Sequence, residues 1–265
     1  RAGASLRCGA EVVGLDAAPG TGMRAVHLAD GTRLPCEICF FTGHPNQLES
    51  LLPKGALRPA YYNRIRSLPE TPPALLLFAE VHDEVLRDDT CMYLLPAADS
   101  PDLFPCEDEE EPSVYLYCGR AEDASGRRAA LAISLMREGR LPPGNPKPRP
   151  QNYVAWKRKA VARLTRHIEK RVPELRGAWR VLDAATALSF REWVHGGTGG
   201  LYGVRHDMEE MPLLPMTRVP GLFLAGQNVL LPGVLGGIVS AALAVGFALG
   251  HDKALEEFRK CASNV

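Results

Sequence analysis

The chain has 265 residues, 46% hydrophobic and 23% charged, and its 31 basic and 31 acidic side chains cancel to a formal charge of zero. That length holds one large or two modest domains with ample core, and the even balance gives no electrostatic footprint for nucleic acid. Seven cysteines (Cys8, Cys36, Cys39, Cys91, Cys106, Cys118, Cys261) are an odd number without a regular framework, so the usage fits free thiols in a reducing, cytoplasmic setting and excludes a disulfide scaffold.

Residues 1–45 read as a small β-meander. Glu11–Leu15 and Met23–Leu28 are β-prone runs separated by the turn cluster Asp16–Gly20. Asp30-Gly31 is a hairpin signal. Leu34–Phe41 reads as a third strand, with Pro35 marking a strand start or edge. Cys36-Glu37-Ile38-Cys39 is a CxxC motif, but it lies in a strand-like run with no second pair and no histidine cluster. No zinc or thioredoxin-like role, and no metal site elsewhere, is expected.

Residues 46–190 read as a second, α+β domain. Gln47–Leu52 is a short helix after Pro45, and Ala74–Val81, Cys91–Leu95 and Val114–Cys118 are strands. Glu107–Glu111 is expected to be a solvated loop, since nothing apolar beside it would raise a carboxyl pKa for acid–base work. Arg127–Glu138 reads as a helix, with Leu131 and Leu135 on one face and Gly139 as its stop. Pro142–Pro150 is a stiff linker. Tyr153–Val172 is the best helix signal: Trp156, Ala160, Val161, Leu164, Ile168 and Val172 recur at helical spacing and Pro173 stops it.

Charge is unevenly spread along this domain. Glu80–Glu111 carries 12 acidic residues against Arg87 alone, and Lys147–Arg180 carries 11 basic residues against Glu169 and Glu174. Two readings stand: the two runs are solvated faces or complement each other, or the basic helix 153–172 faces anionic lipid as a peripheral membrane contact.

No residue from Val219 through Gly250 carries a charge. Gly221–Gly226 reads as a buried strand ending in glycine. Gln227–Gly237 is a polar, glycine-rich turn, and Ile238–Gly250 is a helix of small residues. Such a unit lets a helix N-terminus approach a cofactor and face an electron-rich group. A buried core strand and helix without ligand fits the pattern as well. A membrane span of Leu222–Leu249 is the third reading, but Gly226-Gln227-Asn228, Pro232, Gly233, Gly236 and Gly237 would interrupt it.

Gly221–Asn228 followed by Pro232–Gly237 resembles the closing FAD-binding motif of the phytoene desaturase/amine oxidase superfamily. Gly199–Asp207, with Tyr202-Gly203 followed by His206-Asp207, resembles its branch of retinol saturases and carotenoid isomerases. The resemblance implies an α/β, partial Rossmann-like FAD-binding domain (1–45 and 191–265) around an α+β substrate domain (46–190). The family opens with a βαβ unit carrying GxGxxG. Gly20-Thr21-Gly22 and Gly196–Gly200 lack that setting, so the chain, which begins at Arg1 without a signal peptide, resembles the later half of a longer enzyme.

By the same resemblance FAD would be held by Val12, Gly226, Gln227, Asn228, Pro232, Gly233, Val234, Leu235, Gly236 and Gly237. Gln227 departs from the acidic residue often found nearby. Tyr202 and His206 could orient substrate or move a proton, although a core tyrosine and a hydrogen-bonded histidine read equally well. No general base stands out, and Ser240, inside a helix and outside any GxSxG, is no hydrolase nucleophile. The expected activity is hydride transfer to or from an apolar, polyene-like substrate. The rival is a truncated, non-catalytic remnant that serves as a binding module.

Overall fold

The computed structural model describes residues 3–82, 84–96, 111–120, 126–137, 141, 145–195, 197–207 and 212–262. In chain order its strands are β1 (Val12–Ala18), β2 (Gly22–Leu28), β3 (Arg33–Pro35), β4 (Cys39–Phe41), β5 (Ala74–His82), β6 (Thr90–Leu94), β7 (Val114–Cys118), β8 (Arg127–Leu135), β9 (Trp179–Ala185) and β10 (Leu222–Leu224). Its α-helices are α1 (Leu48–Leu51), α2 (Pro59–Ser67), α3 (Gln151–Arg171), α4 (Ala187–Trp193), α5 (Gly233–Leu249) and α6 (His251–Ala262). They fall into two compact units, one formed by Arg1–Thr71 with Tyr202–Val265 and the other by Pro72–Leu201.

In the first unit β1, β2 and β3 form the antiparallel meander, with Pro35 on its edge strand, where a missing N–H costs no ladder bond. Asp16, Ala17 and Ala18 belong to β1 and not to a turn. Arg24 and Arg33 donate to the Asp16 carboxylate at 2.5 and 3.2 Å across the sheet. These two arginines hold the Asp16 carboxyl below the usual carboxylate range. The expected single strand Leu34–Phe41 is split. Its second half, β4, leaves the meander and pairs in parallel with β10, far along the chain.

Residues 46–71 also pack in this first unit. Leu48, Leu52, Leu57 and Ile65 share its core with Leu15, Leu213, Leu222 and Leu224. Cys36 and Cys39 are free thiols. Burial, with Cys36 adding to it, pushes the Cys39 thiol up to about 11, the opposite of a reactive or metal-binding cysteine. Among the described residues no group of three or more ligating side chains could hold a metal.

The second unit is a five-stranded antiparallel sheet in the order β6-β7-β8-β5-β9, with α3 against one face. Leu77, Val81, Leu116, Ala132 and Ala184 point to α3 and meet Leu164 and Ile168. The stripe on α3 is therefore core packing. Its basic side chains are partly matched within the unit: Lys170 donates to Glu111 at 2.6 Å, and Lys157 lies 3.9 Å from Asp183. The rest of the acidic run, 107–110, and Pro142–Gly144 of the linker lie outside the described residues.

Residues 127–135 are a strand and not the expected helix. Alanine and leucine favour helix in isolation, but Arg128, Ala130, Ala132 and Ser134 alternate into the buried face while β5 and β7 pair on either side. Tertiary pairing of this kind overrides intrinsic propensity. The opposite face of the sheet carries Phe78, Tyr93, Tyr115 and Leu182. Tyr93 and Leu182 keep 70% and 57% of their surface exposed.

Among the described residues no helix is long and apolar enough to cross a membrane. Leu222–Leu249 is not a span, because a strand, a turn and a 17-residue helix divide it.

Candidate cofactor-binding turn

β10 is held in parallel register by β4: Cys39 N–H donates to Gly221 O at 2.7 Å and Ala225 N–H to Phe41 O at 3.0 Å. Two residues past the end of β10 stands Gly226, whose φ of +99° is left-handed backbone that a side chain would strain. From there the chain turns through Gln227–Pro232 into α5.

Ser240, fully buried on α5, closes this turn. Its Oγ accepts from Gly226 N–H at 2.8 Å and lies 2.9 Å from Gly226 O and 3.1 Å from Gly237 O, the carbonyls to which its hydroxyl can donate. The end of the strand is thereby clamped to the helix about two turns in. Ser240 is a structural clamp, with no nucleophile motif around it. The signal that it matters is its place among small residues, where the helix can approach the strand.

Gly236 lets the helix pack against the turn itself: a Cβ there would sit 1.9 Å from Leu231 O. Pro232 precedes the first turn of α5, which carries no side-chain cap. The opening backbone N–H groups of this helix, Gly233, Val234 and Leu235 among them, have no intrahelical acceptor and add to the positive end of the helix dipole. Beside them Val234 and Leu235 are 83% and 69% exposed, with Ile238 also exposed. An apolar, solvent-facing first turn with uncapped N–H groups can receive a flat molecule that is apolar over its face and electron-rich at one edge.

The remaining expected residues divide. His206 Nε2 lies 3.0 Å from the carbonyl of Gln227, so that nitrogen carries the proton. His206 and Pro232 line one partly open cavity of about 380 Å³, together with Leu68, Leu213 and Leu231. Tyr202 does not line it. The residue is about half exposed, and its backbone N–H donates to Thr71 Oγ1 at 2.9 Å. Asn228 is buried, and its Oδ1 accepts from Val204 N–H at 3.0 Å, so its carboxamide pins the 203–204 segment. Val12 sits on β1, paired with Leu28, in the meander and outside this cavity.

A buried pair also lies behind the turn. His44 Nδ1 accepts from Asn46 N–H at 3.4 Å, and its Nε2 lies 3.4 Å from Glu70 Oε1, an ion-pair distance too poorly aligned for a hydrogen bond. Both side chains are almost fully enclosed. Gly43-His44-Pro45 could be noticed in the sequence, but nothing there pairs it with Glu70.

No protein-family model and no curated protein matches the chain. Solved structures do. A crystal structure of an oxidoreductase from Methanosarcina mazei matches with a TM-score of 0.50 at 12% identity, over 94% of this chain and 49% of its own. A protein from Pyrococcus furiosus matches with a TM-score of 0.44 at 15% identity, over 89% and 44%. A putrescine oxidase redesigned in its cofactor binding matches with a TM-score of 0.48 at 10% identity, over 95% and 48%. The likeness to the first is one of fold, and the chain spans about half the length of each of these structures.

Proposed function

We propose that this chain is the C-terminal portion of an FAD-dependent oxidoreductase of the phytoene desaturase and retinol saturase kind, acting on an apolar, polyene-like substrate. The observation that carries the reading is the unit β4–β10–turn–α5: a parallel strand pair ending in a left-handed glycine, clamped by Ser240 to an uncapped helix of small residues. The fold likeness to an oxidoreductase supports it, as do the motifs at Gly199–Asp207 and Gly221–Gly237. The outer edge of β4 is unpaired among the described residues, where a parallel sheet would take another strand.

The residues fit the cofactor by chemistry. Gly233, Val234 and Leu235 would offer N–H groups to its electron-rich edge, while the exposed Val234 and Leu235 side chains would lie against its apolar face. Gln227 could hydrogen-bond its chain. When bound, FAD supplies the acceptance or delivery of hydride. The protein's part is positioning: Ser240 and Gly236 fix the turn, and His206 holds a proton on Nε2 beside Gln227. The polyene-like substrate rests on the resemblance carried by the motifs at Gly199–Asp207 and Gly221–Gly237.

The test is the visible spectrum of the 265-residue chain after incubation with FAD and desalting, repeated with the chain extended by the sequence preceding it in its gene. Flavin bands retained by either form support the reading. Their absence from the extended form sinks it and leaves the non-catalytic binding module.

A further inference from the structure

A second cavity, in the Pro72–Leu201 unit, takes no part in that reading. It has a volume of about 390 Å³, within the range of small-molecule sites, and lies half open between α3 and the end of β8. The buried Leu75, Met136 and Leu164 form its inner lining, with Trp156 on the helix side. Lys159 and Arg166 follow Trp156 along α3 and line the same cavity, as does Arg163 between them. Three- and four-residue steps keep these positions on one stripe of the helix. Among the described residues no carboxylate lines the cavity.

Among the described residues the site therefore combines an apolar interior with two exposed cations, Lys159 and Arg166, at its mouth. We propose that it binds a single-chain amphiphile with an anionic head, of the fatty-acid carboxylate class. The tail would lie against Leu75, Met136 and Trp156, and the head would meet Lys159 and Arg166. Tail burial removes apolar surface from water, and Lys159 and Arg166 select the sign of the head: a cationic head would be repelled and a neutral one would gain no charge pairing from them.

Dodecanoate, kept below its aggregation concentration, is the probe. Binding is read from tryptophan fluorescence and assigned to Trp156 by comparison with Trp156→Phe. Saturable binding to one site is expected, weakened about tenfold or more by the double charge reversal Lys159→Glu/Arg166→Glu. Ala160→Trp, which fills the cavity, should abolish it with an unchanged circular dichroism spectrum. If Ala160→Trp fails to fold, the charge reversal alone decides, since both its positions are exposed. Equal binding of dodecyltrimethylammonium, or indifference to the charge reversal, would overturn the proposal. So would failure to bind dodecanoate monomers while the chain sediments with anionic phospholipid vesicles, which would assign the charges to bilayer contact.

Discussion

At the scale of single residues, the turn depends on groups that carry no chemistry of their own. Ser240 satisfies the half-buried N–H of Gly226. Removing its hydroxyl leaves that donor without a partner, a loss of about 1–3 kcal/mol. Ser240→Ala should therefore lower the melting temperature by a few degrees. It should also loosen flavin retention more than a cavity of one hydroxyl would explain. Differential scanning calorimetry reads the first effect and the desalting assay the second. An unchanged melting temperature would mean that the clamp is dispensable. Asn228 illustrates how a motif residue can be legible in the sequence while its job is not: its neighbours suggest a cofactor contact, and its Oδ1 binds Val204.

At the scale of elements, α3 carries a titratable core. His167 is buried on it, and its Nε2 has no hydrogen-bond partner among the described residues. Burial lowers its pKa below 6.5, with the nearby Glu111 opposing and Arg171 and Lys170 acting on it as well. The unfolded chain thus binds this proton first. Stability should fall as pH drops below about 6.5 and keep falling until the depressed folded value is reached. Glu111, whose carboxyl Lys170 holds below its usual value, loses its contribution only at more acid pH. Urea titrations of the wild type and His167→Gln between about pH 7 and 5 separate the two, since the variant should show a flatter pH dependence in that window.

The same scale shows what sequence could and could not disclose. α3 was legible because its period is local and strong. The helix expected at 127–138 was not, because what makes Arg127–Leu135 a strand is two neighbours, β5 and β7, that single-sequence propensity does not see. The split of Leu34–Phe41 has the same cause, since the partner of β4 is β10, beyond the entire second unit.

At the scale of the molecule, the uncharged run Val219–Gly250 made the candidate turn readable, because composition alone marks a buried or ligand-facing segment. The pairing that positions it was hidden by sequence distance. The two units differ accordingly in continuity. Pro72–Leu201 is a contiguous stretch with its own core, and it should unfold cooperatively by circular dichroism when produced alone. Residues 1–71 produced alone should not, since their core is completed by Leu213, Val219, Leu222 and Leu224. A folded 1–71 peptide would contradict the assignment of that core.

The parallel register of β4 and β10 also imposes an order of events during synthesis. Leu15, Leu48 and Ile65 leave the ribosome with only part of their core, and the whole of Pro72–Leu201 must be translated, about ten seconds at common elongation rates, before Leu222 arrives to complete it. For that interval the nascent chain presents an apolar surface and an unmatched strand. The first unit is consequently the segment whose yield should respond most to chaperone supply and to slowed translation.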